Sequence, residues 1–341
     1  MSKDNDIDDL FSDKMESEIK NEIKKKRGKL NLKLIIISIV STLVIIILGT
    51  LILNFASDKY IENAYVKEEQ KQVLENTIMD PNEYIGKETC KEIGYFKYES
   101  TYEYGKRIGS KVIYAGSASY LGGLSKNGIS KNRWTISNIP LSDDISTRYS
   151  SVEGLRKLHF LYPYVHYGKN IYEYKTKDNK ISEEGSSIDN ENKINDFHLL
   201  SEIDDNKVVE MALSFDKEYT YEEVNKIIDS NLITFYWVEN NSEEQKQHMI
   251  EFNNPAFSVV GIKSIDGAGE FRNDVDGRMK NFIAAINQLK EVGDSQYVRN
   301  IDENNIKIIG AVVVGSSKEL NNIQNNSMIK HAILGTIVDK Y

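Results

Sequence analysis

Five histidines, one cysteine and a scatter of carboxylates are the side chains in this chain that hydrolytic, redox or metal chemistry would draw on. The histidines are His159, His166, His198, His248 and His331. No two stand four residues apart, the spacing that sets a metal-binding pair on one helix face, and HExxH is absent. His159 and His166 are seven residues apart in one apolar run, so a straight strand would send them to opposite faces. There is no G-x-S-x-G elbow for a nucleophilic serine. Val314-Gly315-Ser316-Ser317, at an expected strand-to-helix turn, comes nearest to a nucleophile or phosphate site, but serine there more often caps the helix. Gly267-Ala268-Gly269 lacks the preceding strand and the following glycine of a dinucleotide fingerprint. Cys90 has no histidine near it in sequence and reads as a free, partly buried thiol. Asp216, Glu222, Asp266 and Glu270 supply carboxylates, but no spacing pairs them. Asn240-Asn241-Ser242 and Asn325-Asn326-Ser327 match glycosylation triplets, which an Asn-rich chain produces by chance. No catalytic residue, no metal-ligand set and no cofactor site follows, and the chain reads as a non-enzyme.

The element that organises the rest is Leu34 to Ser57, 24 residues without a charge. As a helix it is about 36 Å long, enough to cross a hydrocarbon core of about 30 Å. It is apolar on every face, unlike a surface helix. It is also too long, and begins too far from Met1, to be a cleaved leader. Lys24, Lys25, Lys26, Arg27, Lys29 and Lys33 precede it, and such basic flanks stay on the cytoplasmic side. The expectation is a single-pass protein of the cell membrane, in contact with the lipid bilayer, with its N-terminus in the cytoplasm and its C-terminal part outside. Phe55 and Tyr60 fall where an outer aromatic belt would lie.

The whole chain carries −9, while residues 1–33 carry nine basic and eight acidic side chains, or +1. The part after the span therefore carries −10, which excludes direct nucleic-acid binding there. With one cysteine no intrachain disulfide forms, so that part must be held by core burial. Within residues 1–33, Ile7, Leu10, Phe11, Met15, Ile19 and Ile23 recur at three- and four-residue steps and make one apolar stripe on a helix. Acidic residues crowd its start and basic ones its end, which suits the helix dipole. Glu16–Lys20 and Glu22–Lys26 are favourable four-residue pairs. A helix this short is marginal alone and gains stability by laying its stripe in a partner's groove.

After the span, Ile61, Ala64, Tyr65, Val73, Leu74 and Ile78 continue a helical pattern, so residues 58–80 read as a helical stalk ending at the turn Met79-Asp80-Pro81-Asn82. Residues 81–195 read as a strand-rich region, with strands expected at Ile93–Tyr98, Lys111–Tyr114, Trp134–Ile139 and Leu158–His166 and a polar loop over 175–195. A helical turn is expected at Val152–Leu158. Residues 196–341 read as an α+β domain with helices on one face of a mixed sheet. Its strands are Val208–Phe215, Ile233–Val238, Phe257–Ile262, Ile306–Val314 and Ile329–Val338. Its helices begin at Thr220, which forms a capping box with Glu223, at Asp276 and after Ser316. The fold class is thus α+β: one transmembrane helix, a helical stalk, a strand-rich region and a C-terminal mixed-sheet domain.

Several of these segments resemble a known family. Val209-Glu210-Met211-Ala212-Leu213-Ser214-Phe215 through Ile228 is similar to the start of the sigma factor regulator C-terminal domain, and Ile309 to Leu320 and His331 to Ile337 are similar to its end. The basic run, the span and Pro81-Asn82-Glu83-Tyr84-Ile85 resemble the family's N-terminal region. The resemblance implies a membrane-anchored anti-sigma factor. Its partner would be an extracytoplasmic-function sigma factor held on the cytosolic side, here by the stripe Ile7, Leu10, Phe11, Met15, Ile19 and Ile23. A second small membrane subunit is a further partner candidate, and the outer domain would sense the envelope. The alternative from the residues alone is a carbohydrate-binding or hydrolytic module tethered at the cell surface.

Overall fold

A computed structural model of the chain describes residues 13–124, 128–132, 136–137, 156, 158–165, 195–252, 259–265, 269, 274–293 and 296–341. By contact the chain divides into two units, Met1–Glu62 and Asn63–Tyr341. Helix α1 spans Asp13–Ile78. The helical stretch Met15–Ile78 contains a window long and apolar enough to cross a membrane, and Leu34 to Leu53, in the first unit, stand exposed. Three of its hydroxyls bond within the helix: Ser41 Oγ donates to Ile37 O at 2.7 Å, Thr42 to Ser38 O at 2.9 Å and Thr50 to Ile47 O at 2.8 Å. A span needs this internal satisfaction, since hydrocarbon offers no partners.

In the second unit, a meander of four antiparallel strands follows the turn at 79–82: β1 Glu83–Gly94, β2 Lys97–Ile108, β3 Lys111–Gly123 and β4 Gly128–Asn132. The strand expected at Ile93–Tyr98 is instead the β1–β2 hairpin, where Gly94 pairs Lys97 across Tyr95 and Phe96. Glycine and an aromatic pair there form the tip, while the charged run Lys87–Glu92 forms strand because one face of the meander is solvated. Two-residue β5 Ile136–Ser137 and β6 Leu158–His159 pair in parallel. Most of the expected turn at 152–158, of the loop over 175–195 and of the strand Trp134–Ile139 lies outside the described residues.

The C-terminal elements are a 3-10 helix Asp196–Glu202, β7 Lys207–Tyr219, α2 Tyr221–Ile227, β8 Ile233–Val238, α3 Glu243–Phe252, β9 Val260–Lys263, α4 Val275–Glu291, β10 Ile308–Gly315, α5 Ser317–Asn321 and β11 Ile329–Asp339. The sheet order is β11-β7-β10-β8-β9, antiparallel at every pairing. This corrects the expected mixed sheet. The connection β7-α2-β8 leaves its two strands parallel, as a helical crossover must, but β10 inserts between them and opposes both. β7 likewise separates β10 from β11. Two interlocked split βαβ units result, with β9 added at one edge.

The expected caps form. Thr220 Oγ1 accepts from Glu223 N and the Glu223 carboxylate accepts from Thr220 N; Ser316 and Glu319 do the same for α5. Alternation on β7 then sorts the core: Val209, Met211, Leu213 and Phe215 meet Val224, Phe282, Ile286, Leu289 and Leu320 from the helices. The opposite face carries Ala212, Phe235, Trp237 and Val312, and Leu158 to Tyr162, with Val165, covers it. Phe160 packs edge-on to Trp237 with ring centroids 5.2 Å apart. Leu158–Val165 precedes the boundary expected at 195/196, yet it builds this second core layer.

Candidate functional site

The place where the helix enters the second unit is built from polar residues. Glu68 lies buried on the last third of α1 and accepts from Ser100 Oγ at 2.9 Å and Tyr102 Oη at 2.5 Å, both on the covered face of β2. Tyr65 sets its ring edge-on to Tyr98, 6.2 Å between centroids. Gln72 and Asn76 complete a buried stripe at four-residue steps. Burial raises the Glu68 pKa above the ordinary carboxylate value, and the two hydroxyl donors offset part of that rise. The apolar pattern misleads here, because Val66 and Val73 are exposed.

The end of α1 is held twice more. Lys263, from edge strand β9, is buried and donates to Asn76 O at 2.6 Å and to Glu83 O. A cation on the last turn's carbonyl meets the negative end of the helix dipole. Met79 forms a bridge to Val260 beside it. The turn at 80–82 needs two left-handed residues, Asp80 at φ 56° and Asn82 at φ 64°, types that tolerate that region.

From the turn, Asn82 Nδ2 donates to Glu210 Oε1 at 2.7 Å, while Lys106 lies 2.8 Å from Glu210 Oε2, with both charged side chains fully buried. The peptide nitrogen of Thr336 adds a hydrogen bond to the same oxygen at 3.2 Å. A bulge in β11 between Leu334 and Ile337 presents that nitrogen. Gly335 at the bulge has no room for a Cβ, which would stand 2.6 Å from Leu158 and 2.8 Å from Glu210 Oε2. One carboxylate thus ties the post-helix turn, the meander and two strands of the larger sheet. Lys106 and Glu210 are 104 positions apart in the chain, so no local pattern could announce the pair.

Met15, Ile19 and Ile23 are exposed on α1, at 44%, 54% and 46%. Ile7, Leu10 and Phe11 lie outside the described residues. The expected pairs form beside the stripe, Lys20–Glu16 at 2.9 Å and Lys26–Glu22 at 4.0 Å. Lys24, Lys25, Lys26, Arg27, Lys29 and Lys33 are exposed on the helix before the apolar run. Of the histidines, His159 and His331 are buried, His198 Nδ1 lies 2.8 Å from Asn195 O, and His166 is outside the described residues. Ser316 is the expected helix cap. Among the described residues no three His, Cys, Asp or Glu side chains gather as a metal site.

Two family models match the chain in order: sigma factor regulator N-terminal over residues 20–113 and sigma factor regulator C-terminal over residues 200–336. The chain belongs to the sigma factor regulator family. No curated protein and no solved structure gives a significant match to it. The N-terminal match covers most of α1, the turn and β1 to the start of β3, while the C-terminal match covers the five-stranded sheet. Both halves of the Asn82–Lys106–Glu210 network therefore lie inside matched segments of the regulator. Membership gives the regulator an anti-sigma role, and the one long apolar helix among the described residues fits a single-pass anchor.

Proposed function

We propose that this regulator holds an extracytoplasmic-function sigma factor at the cytosolic face of the membrane and couples its release to the envelope. The observation that carries the reading is the order of parts: an amphipathic stripe whose described members Met15, Ile19 and Ile23 are exposed, a basic run, an uncharged span of 24 residues and then a folded unit. Ile7, Leu10, Phe11, Met15, Ile19 and Ile23 dock in a groove on the sigma factor and block its access to polymerase or promoter. Lys24, Lys25, Lys26, Arg27, Lys29 and Lys33 keep that stripe inside. The unit Asn63–Tyr341 faces outward and senses the envelope state, and a second small membrane subunit takes part in release.

The test is capture of the sigma factor with the full-length regulator from membranes solubilised in mild detergent. Phe11→Asp combined with Ile19→Asp abolishes capture while membrane levels of the regulator stay constant. Capture that survives the double substitution contradicts the stripe as the docking surface.

A further inference from the structure

The two ends of the four-stranded meander differ in what they touch. At one end Lys106 joins Glu210, and a Cβ on Gly109 would stand 3.3 Å from Val208, so the larger sheet holds that end. The other end carries the β1–β2 hairpin, closed by Gly94 opposite Lys97, and the close of β3, where Gly123 pairs with Lys97 from the other side. Ile93, Tyr95, Leu121 and Leu124 gather there, and all four are exposed, Leu124 at 69%. Single exposed apolar residues are ordinary, but several on adjoining strands and turns mark a contact surface.

This end lies toward the point where the chain enters the unit. Tyr98, beside the hairpin, meets Tyr65, while Ser100 and Tyr102, further along β2, meet Glu68. Moving along β2 away from the hairpin therefore moves along α1 toward its C-terminus. Asn63, the first residue of the unit, follows Ser57, the last of the uncharged run, by six positions. Six residues reach at most about 20 Å even when extended. Charge permits a lipid contact as well. The chain after the span carries −10, yet residues 90–99 hold two lysines and two glutamates, and residues 117–124 hold no charge. An anionic leaflet that repels the rest of the unit does not repel this end.

We propose that Ile93, Tyr95, Leu121 and Leu124 seat in the lipid interface on the side of the bilayer where the span ends. Tyrosine suits that layer, with its ring among the upper acyl chains and its hydroxyl in water, and leucine and isoleucine add apolar contact below it. Lys91 and Lys97, exposed beside them, reach the phosphate groups. The short tether keeps lipid at high local concentration, so four side chains suffice where an untethered protein would need a larger surface. A change in the leaflet then acts on β2, the strand that seats Glu68. The contact rests on the single-pass anchor and is independent of the sigma factor.

The experiment is fluorescence quenching of the full-length protein in vesicles of phosphatidylcholine with phosphatidylglycerol. In a Cys90→Ser background, one small fluorophore is placed in turn at Tyr95→Cys, Leu124→Cys, Val112→Cys and Ile45→Cys. Val112 is an exposed apolar residue toward the opposite end of the meander, and Ile45 lies within the span. Labels at 95 and 124 lie within the roughly 5–10 Å boundary layer, so a nitroxide on the lipid headgroup removes about half of their emission or more. The label at 112 keeps its emission, and the label at 45 is quenched by a nitroxide on the acyl chain. Ile93→Ser combined with Leu121→Ser, both at exposed positions, reduces the quenching at 95. Quenching at 95 and 124 no greater than at 112, as a contact with a second copy would give, overturns the proposal. So does quenching at 95 that is unchanged by the double serine variant. A label at 45 that escapes the acyl-chain nitroxide overturns the anchor itself, and the lipid contact with it.

Discussion

Two stretches of one helix follow opposite rules. Between Leu34 and Leu53, α1 exposes leucine, isoleucine and valine on all sides, and Ser41, Thr42 and Thr50 bond back to their own helix. Between Tyr65 and Ile78 it buries Glu68, Gln72 and Asn76 and exposes Val66 and Val73. The first pattern is stable only in a solvent that rewards apolar surface and offers no hydrogen bonds. The second needs a partner that supplies hydrogen bonds at fixed places, which Ser100 and Tyr102 on β2 do for Glu68. A buried carboxylate specifies one seat, because a shift by one turn would leave Glu68 without its two hydroxyl donors.

The largest expected effect breaks the polar side of this comparison. Glu210→Ala leaves Lys106 charged and buried, and should lower stability by about 3–5 kcal/mol in urea unfolding. If the loss is below about 1 kcal/mol, the network is not what seats the turn. On the apolar side, Ile45→Arg places a charge in mid-span at a cost of about 2.5–3.5 kcal/mol. The reduced membrane-inserted fraction in a glycosylation-mapping assay should report it, whereas Ile45→Leu should change nothing. Lys263→Met should come next, at about 1–3 kcal/mol in the same urea assay, because Asn76 O and Glu83 O lose their donor.

The smallest effect is a pH dependence. Burial raises the Glu68 pKa, so the folded protein binds this proton more tightly than the unfolded chain. Its contribution to stability is therefore fully present below the ordinary carboxylate value of 4.5 and is lost as pH rises through the raised value. Glu68→Gln should flatten that part of the stability–pH curve and gain most at neutral pH. An unchanged curve would show that the Glu68 seat is not strained by charge.

Much of the larger sheet could be read from residues alone. Ile-Thr-Phe-Tyr-Trp-Val at 233–238 is the observed β8, and the Thr220–Glu223 spacing and Ser316 do cap helices. These signals are local, set by propensity and by a hydroxyl reaching three residues on. What escaped was long-range. The insertion of β10 between β7 and β8 depends on pairing choices that crossover connections alone do not dictate. The cover that Leu158–Tyr162 lays on Trp237 joins segments more than 70 positions apart. The seat of Glu68 depends on Ser100 and Tyr102, 32 and 34 positions further on, which no local pattern announces. Met15, Ile19 and Ile23 were legible as a stripe because exposure leaves periodicity undisturbed.

The proposed role requires the two ends of α1 to lie on opposite sides of a bilayer, and the sole cysteine offers a direct probe. Cys90 is exposed on β1, though burial and the nearby Glu68, Glu88 and Glu92 raise its thiol pKa, so labelling belongs at mildly alkaline pH. A small membrane-impermeant maleimide should label Cys90 in intact cells. In a Cys90→Ser background, Ser17→Cys should stay unlabelled until the membrane is permeabilised. Labelling of position 17 in intact cells, with Cys90 protected, would contradict the account.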